Sequence, residues 1–168
     1  ENFIHKKTGD PFEDSFKFAL PGYSVRTLDM SGAIGQVQLA KWPDMMEERR
    51  KNAKYFKEKF YGDVILQVEH GTSSWFGFSV IHPDIDRKIL TNALQAAQVE
   101  IRPIVAGNFL RNPVIKYLDY EVVGTLPNAD TIHDHGFFLG NDSVDIRDKI
   151  DLAHDVIRHE LHSRGYMW

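Results

Sequence analysis

The sequence has no cysteine. That excludes a disulfide framework, a thiolate zinc centre and a cysteine nucleophile together, and it fits a reducing compartment. No apolar run approaches the ~20 residues that span a bilayer. Nor does a basic stretch followed by an apolar one open the chain, so a soluble, cytoplasmic protein is the expectation. Neither sign of charge dominates, with 20 Lys and Arg against 24 Asp and Glu, which argues against a nucleic-acid binder that works by neutralising phosphates. There is no glycine-rich phosphate loop, no G-x-S-x-G elbow and no kinase-type motif. The carboxylates are not paired in a pattern that signals general acid–base work.

What is present suffices for one sizeable core: 168 residues, 42% of them hydrophobic. The chain opens Glu-Asn-Phe-Ile-His, and its first residues read as the interior of a longer protein. Residues 1–25 lack periodicity yet carry Phe12, Phe16, Phe18 and Leu20 among Gly9, Pro11, Pro21 and Gly22. That is too apolar for a solvated tail, so the segment is expected to lie across another surface.

From Leu28 to Trp42 the spacing of Met30, Ala33, Ile34 and Val37 predicts a mostly buried helix. Gly32 and Gly35 each cost ~1 kcal/mol there, which implies close approach of another backbone. Pro43 reads as the first turn of a second helix, with Met46, Ala53, Phe56 and Phe60 inward, Glu47, Arg50, Lys54 and Lys57 outward, and Gly62 as its stop. Alternation over Val64–Glu69 and Ser74–Ile81 predicts two strands joined through His70-Gly71-Thr72. His82-Pro83-Asp84 makes a turn into a helix over Asp86–Gln98, and Glu100–Val105 reads as a strand that Pro103 confines to an edge or bulge. Residues 106–143 read as loops and short helices opened by Pro113 and Pro127, with a short strand at Phe137–Leu139. A last helix runs from Val144 to His162. This order predicts a layered α/β or α+β domain.

His159 and His162 stand at i, i+3 instead of the i, i+4 of a zincin helix. His133 and His135 would point about 200° apart on a helix, so no metal site is expected. Asn141-Asp142-Ser143 fits the short glycosylation pattern, but helix capping by Ser143 or Asp142 is the better reading. Gly22–Arg26, ahead of the first long helix, suits either an anion site or an ordinary cap. Arg102–Phe109 gathers a cation, a flexible glycine, an amide and an aromatic ring, which suits a polar ligand carrying phosphate or hydroxyls, or an interdomain contact.

The stretch PGYSVRTLDMSGAIGQVQLAKWPDMMEERRKNAKYF resembles the segment that opens the C-terminal part of the DegT/StrS-type sugar-nucleotide aminotransferase family. There a G-Y-N-x-R motif precedes an Ala/Gly-Ile-Gly helix ending in Gln-Leu and a basic Arg-Arg-x-Asn-Ala helix. SSWFGFSV, EIRPIVAGNFLRNPVIKYLDY and HGFFLGN are similar to the family's 3-dehydratase branch. The resemblance implies the small C-terminal domain of a fold-type I pyridoxal phosphate (PLP) transferase: a short, mainly antiparallel sheet with helices packed on it. Residues 1–27 would be an extended segment at the domain and dimer interface, and 28–168 the small domain. The N-terminal cofactor-binding large domain would be absent, and with it the residue beneath the cofactor. Lys6 and Lys7 match no Schiff-base motif. No catalytic residue is therefore expected in this chain, which alone would be inactive and would bind no cofactor.

Position by position, the resemblance puts Ser24 where the family's Asn reaches the cofactor phosphate of the neighbouring subunit, with Arg26 the arginine of the same motif. Phe16 and Phe18 fall on the loop that lines the partner's active site, and Trp75, Arg102, Asn108 and Phe109 in stretches near the sugar-nucleotide pocket. Asn141 matches a GNH-like turn in which Asp142 replaces the His. The implied partners are the missing large domain, a second subunit in a homodimer and a nucleoside-diphosphate (NDP) sugar. The implied reaction is loss of the C3 hydroxyl of an NDP-4-keto-6-deoxyhexose by way of pyridoxamine phosphate (PMP), in a branch where His replaces the Schiff-base Lys. The C-terminal domain of a sugar-nucleotide aminotransferase is one alternative. A non-catalytic sugar-nucleotide-binding or oligomerisation module is the other.

Overall fold

Strand alternation and register build the centre of the molecule. The computed structural model describes residues 9–15, 17, 21–22 and 28–166. Three antiparallel strands, β1 (Gly77–Ile81), β2 (Ile101–Pro103) and β3 (Gly136–Gly140), lie in the spatial order β1-β3-β2. Register sets Phe78 and Ile101 beside Leu139, and Val80 and Pro103 beside Phe137. Successive side chains point to opposite faces, so this set turns to the core while Ser79, Phe138 and Arg102 share a row on the other face. Pro103 stands on edge strand β2, where its missing N–H breaks no ladder.

Three helices cover the inner face: the C-terminal half of α2 (Asp29–Lys59), α3 (Arg87–Ala96) and α5 (Arg147–Ser163). Ile150, Ala153, Ile157 and Leu161 on α5 recur at helical spacing and are all buried. Phe56 of α2 is fully buried and stacks on Phe78 with ring centroids 4.4 Å apart. A buried ring of this kind contributes roughly 1.5–3 kcal/mol relative to exposure. Asp86, expected within the helix, stands one residue before α3 and caps it through the Lys88 amide at 2.9 Å. A four-residue α1 (Pro11–Asp14), two 3₁₀ turns at Phe109–Arg111 and Pro113–Tyr117, and α4 (Pro127–His135) complete the described elements. Among the described residues no helix is long and apolar enough to cross a membrane.

Three expectations are corrected. Residues 29–59 form one helix with Pro43 inside it, not two, and its first half is exposed: Met30, Ile34 and Val37 are 70%, 62% and 58% accessible. Proline removes one intrahelical hydrogen bond, which costs least where water can reach the freed carbonyl. Among the described residues no neighbour lies within 4 Å of where a Cβ would stand on Gly32 or Gly35, so none of their backbone approaches these glycines. The second correction concerns Val64–Glu69, which is no strand. It touches β1 through one bridge, Ile65 to Ile81, and Ser79 Oγ then donates to the Gln67 side chain at 3.1 Å in place of a ladder. Third, α5 starts at Arg147 and neither Ser143 nor Asp142 caps it. Asp142 accepts instead from the Ser143 amide, and the N–H of Ile146 donates to Asn52 of α2 at 3.3 Å.

Candidate functional site

The outer face of the sheet carries the chemistry. Arg102 projects from β2 beside Phe138, and its guanidinium donates to Glu100 from Nη2 at 2.7 Å and from Nε at 3.2 Å. Glu100 and Arg102 are two residues apart, so alternation puts both on this face. Phe138 lies 5.9 Å, centroid to centroid, from the ring of Phe76, which stands 76% exposed. Gly77 permits this arrangement, because a Cβ there would come within 2.6 Å of the Phe138 ring and 2.7 Å of the Leu139 carbonyl. Together with Arg49, Gly140 and Asn141 these residues enclose a recess of about 210 Å³. Aromatic faces beside an arginine–carboxylate pair suit a polar, planar, anionic ligand.

Trp75 precedes this recess but does not line it. Its ring is 3% exposed, lies 6.3 Å from Phe78 and carries the Lys57 ammonium 5.2 Å above its centroid. Glu69 supports the same loop. It accepts the Ser73 amide at 2.7 Å, and that hydrogen bond first, then contacts with Trp75 and Lys57, hold its carboxyl below the usual range.

Asn108 and Phe109 belong to a different neighbourhood. After β2 the chain turns through Val105 and Gly107, both at positive φ, into the first 3₁₀ turn. The buried Asn108 side chain accepts from Leu110 N at 3.0 Å and donates to Asp130 at 2.9 Å, while the Asn108 backbone N–H donates to His133 Nδ1 at 3.3 Å. Phe109 is partly exposed at the edge of this turn. A second recess of about 350 Å³ lies alongside, lined in part by Gly107, His133, Arg111, Arg87 and Glu13. Arg111 bridges Asp130 at 2.8 Å and Asp134, and its hydrogen bond holds the Asp134 carboxyl below its ordinary value. Arg87 is buried. It donates to the carbonyls of His133 and Gly136, pairs with Glu13, and lies 5.1 Å over the Phe12 ring.

Arg102 and Asn108, six residues apart, thus lie in separate neighbourhoods: Arg102 lines the first recess, and Asn108 stands beside the second without lining it. Phe16, Phe18, Ser24 and Arg26 lie outside the described residues. Sequence reasoning missed Phe76, Phe138, Glu100 and Arg87. The i, i+2 spacing of Glu100 and Arg102 was a usable signal, but the meeting of Phe138 with Arg102 depends on register between strands far apart in sequence.

The model of the DegT/DnrJ/EryC1/StrS aminotransferase family matches residues 3–145. The chain is 49% identical over 158 residues to a GDP-4-keto-6-deoxy-D-mannose 3-dehydratase of Escherichia coli O55:H7, covering 90% of this chain and 41% of that protein. Identity to the enzyme of the same name from Yersinia pseudotuberculosis is 47% over 159 residues, covering 91% of this chain and 40% of the relative. The solved structure of the E. coli 3-dehydratase with bound hydrated PLP superposes with a TM-score of 0.75 at 48% identity, over 92% of this chain and 41% of that one. The chain therefore spans about two fifths of the length of the relatives it matches. With the family model matching most of its residues, the chain belongs to the DegT/DnrJ/EryC1/StrS aminotransferase family.

Proposed function

We propose that this chain is the C-terminal part of an enzyme that removes the C3 hydroxyl from an NDP-linked 4-keto-6-deoxyhexose. The observation that carries the reading is the 49% identity to a GDP-4-keto-6-deoxy-D-mannose 3-dehydratase. The recess between Phe76 and Phe138 supports it. Arg102 and Glu100 offer donors and an acceptor beside two aromatic faces, the complement of a nucleoside diphosphate. Arg102 meets the substrate there. Asn108 and Phe109 shape the adjoining turn toward the sugar, and Trp75 holds the loop that carries Phe76.

The donor set of the described residues fits the sugar nucleotide, while the contacts to the cofactor fall to Ser24 and Arg26, which would hold its phosphate in the neighbouring subunit. PLP, taken to its amine form PMP, supplies the amine that engages the C4 carbonyl when bound. Phe16 and Phe18 line that neighbour's site and exclude water from it. In this reading residues 1–27 lie at the domain and dimer interface, 28–168 form the small domain, and the exposed stripe of Met30, Ile34 and Val37 receives the missing large domain. Burial of that stripe is what an apolar helix face calls for.

The test is the residue at the Schiff-base position of the large domain in the full-length protein. His there supports dehydration. Lys makes the parent an aminotransferase, and absence of any large domain leaves a sugar-nucleotide-binding module.

A further inference from the structure

The Arg-Arg-x-Asn-Ala motif of α2 does more than face solvent. Arg49 donates to four backbone carbonyls: Ser74 at 3.1 Å, Trp75 at 2.7 Å, Phe76 at 2.9 Å and Asn141 at 3.3 Å. Asn52, one turn further on and 1% exposed, donates through Nδ2 to the Asn141 side chain and to the carbonyls of Asp142 and Val144, and accepts from the Ile146 amide. Asn141 closes the circuit. Its Nδ2 donates to the carbonyls of Arg49 at 3.0 Å and Trp75 at 2.9 Å, and its Oδ1 accepts from the Asp142 amide at 2.8 Å. The Trp75 carbonyl therefore takes two donors, one from each side. Trp75 also has φ +52, a left-handed conformation that a bulky residue adopts only when its surroundings impose it. The reversal buries the Trp75 ring and leaves that of Phe76 exposed at the recess.

We propose that Arg49, Asn52 and Asn141 form a clasp that locks Trp75 in its left-handed turn and thereby positions Phe76 against the nucleotide. Arg49 is a positioning residue in this scheme, and Phe76 is the ligand contact. The ligand half of the inference rests on the function proposed above.

The experiment uses the full-length enzyme and GDP as the probe. Affinity is measured by calorimetry for the wild type, Arg49→Lys, Phe76→Ala and the double variant. A single ammonium cannot reproduce the planar fork that reaches four carbonyls. Arg49→Lys should therefore weaken GDP roughly tenfold, Phe76→Ala by a similar factor, and the double variant no more than the weaker single. Unchanged affinity in Arg49→Lys, or losses that multiply in the double variant, overturns the proposal. Hydrogen exchange reads the clasp without ligand: residues 72–77 should exchange faster in Arg49→Lys while α5 keeps its protection, and unchanged exchange over 72–77 also overturns it. Wild-type enzyme that binds no GDP, with that local acceleration present, supports the clasp and instead overturns the functional reading.

Discussion

Gly107 and Asp145 show how single residues set local behaviour. Gly107 has φ +55, and a Cβ on it would stand 2.7 Å from His133 Nδ1 and 3.0 Å from the His133 Cα. The second contact is backbone and cannot swing aside. Gly107→Ala should therefore destabilise the chain by about 1–3 kcal/mol, read from the urea midpoint, and an unchanged midpoint would show that α4 yields. Asp145 illustrates charge. Hydrogen bonds from the Arg147 guanidinium, then from its amide, hold the carboxyl at about 2, below its ordinary 3.8. A depressed carboxylate stabilises the fold above its unfolded value and loses that contribution as pH falls through the folded one. The advantage of wild type over Asp145→Asn should be small near neutrality, because the pair is exposed, and should vanish as pH drops from 3.8 toward 2. Thermal melts across that interval test it, and an advantage that grows on acidification would contradict it.

At the scale of elements, α2 behaves as two halves. From Asn52 onward it supplies the core, whereas Met30, Ile34 and Val37 face outward. Ile34→Asp should leave the stability of the 168-residue chain unchanged within about 0.5 kcal/mol, as exposed substitutions do. In the full-length protein the same change should loosen the packing of this helix face on the large domain, seen as faster hydrogen exchange over residues 29–45. Unchanged exchange there would mean that the stripe receives nothing. The helical apolar spacing was readable, but which surface it meets was not, because periodicity reports amphipathicity and is silent on the partner. α3, β3, the edge position of Pro103 and the helices opened by Pro113 and Pro127 were legible for local reasons: helical apolar spacing, proline geometry and short apolar runs. Val64–Glu69 misled because alternation also suits a segment that lies along an edge on side-chain bonds. Phe76 and Phe138 were illegible as a pair, since only the fold brings residues 62 positions apart to one face.

At the scale of the molecule, the described residues form an inner layer of helices on a three-stranded sheet whose outer face holds a recess of about 210 Å³. Family membership follows from the match over residues 3–145, and the dehydratase reading from identity to relatives more than twice as long. In that reading the chain contributes the substrate-facing wall, and the reacting groups belong to the rest of the protein. The most direct test is product analysis: full-length enzyme, PLP, an amino donor and GDP-4-keto-6-deoxymannose, followed by NMR of the sugar. A 3-deoxy-4-keto sugar with a methylene at C3 is the predicted result, whereas a 4-amino sugar that keeps its C3 hydroxyl would contradict the account.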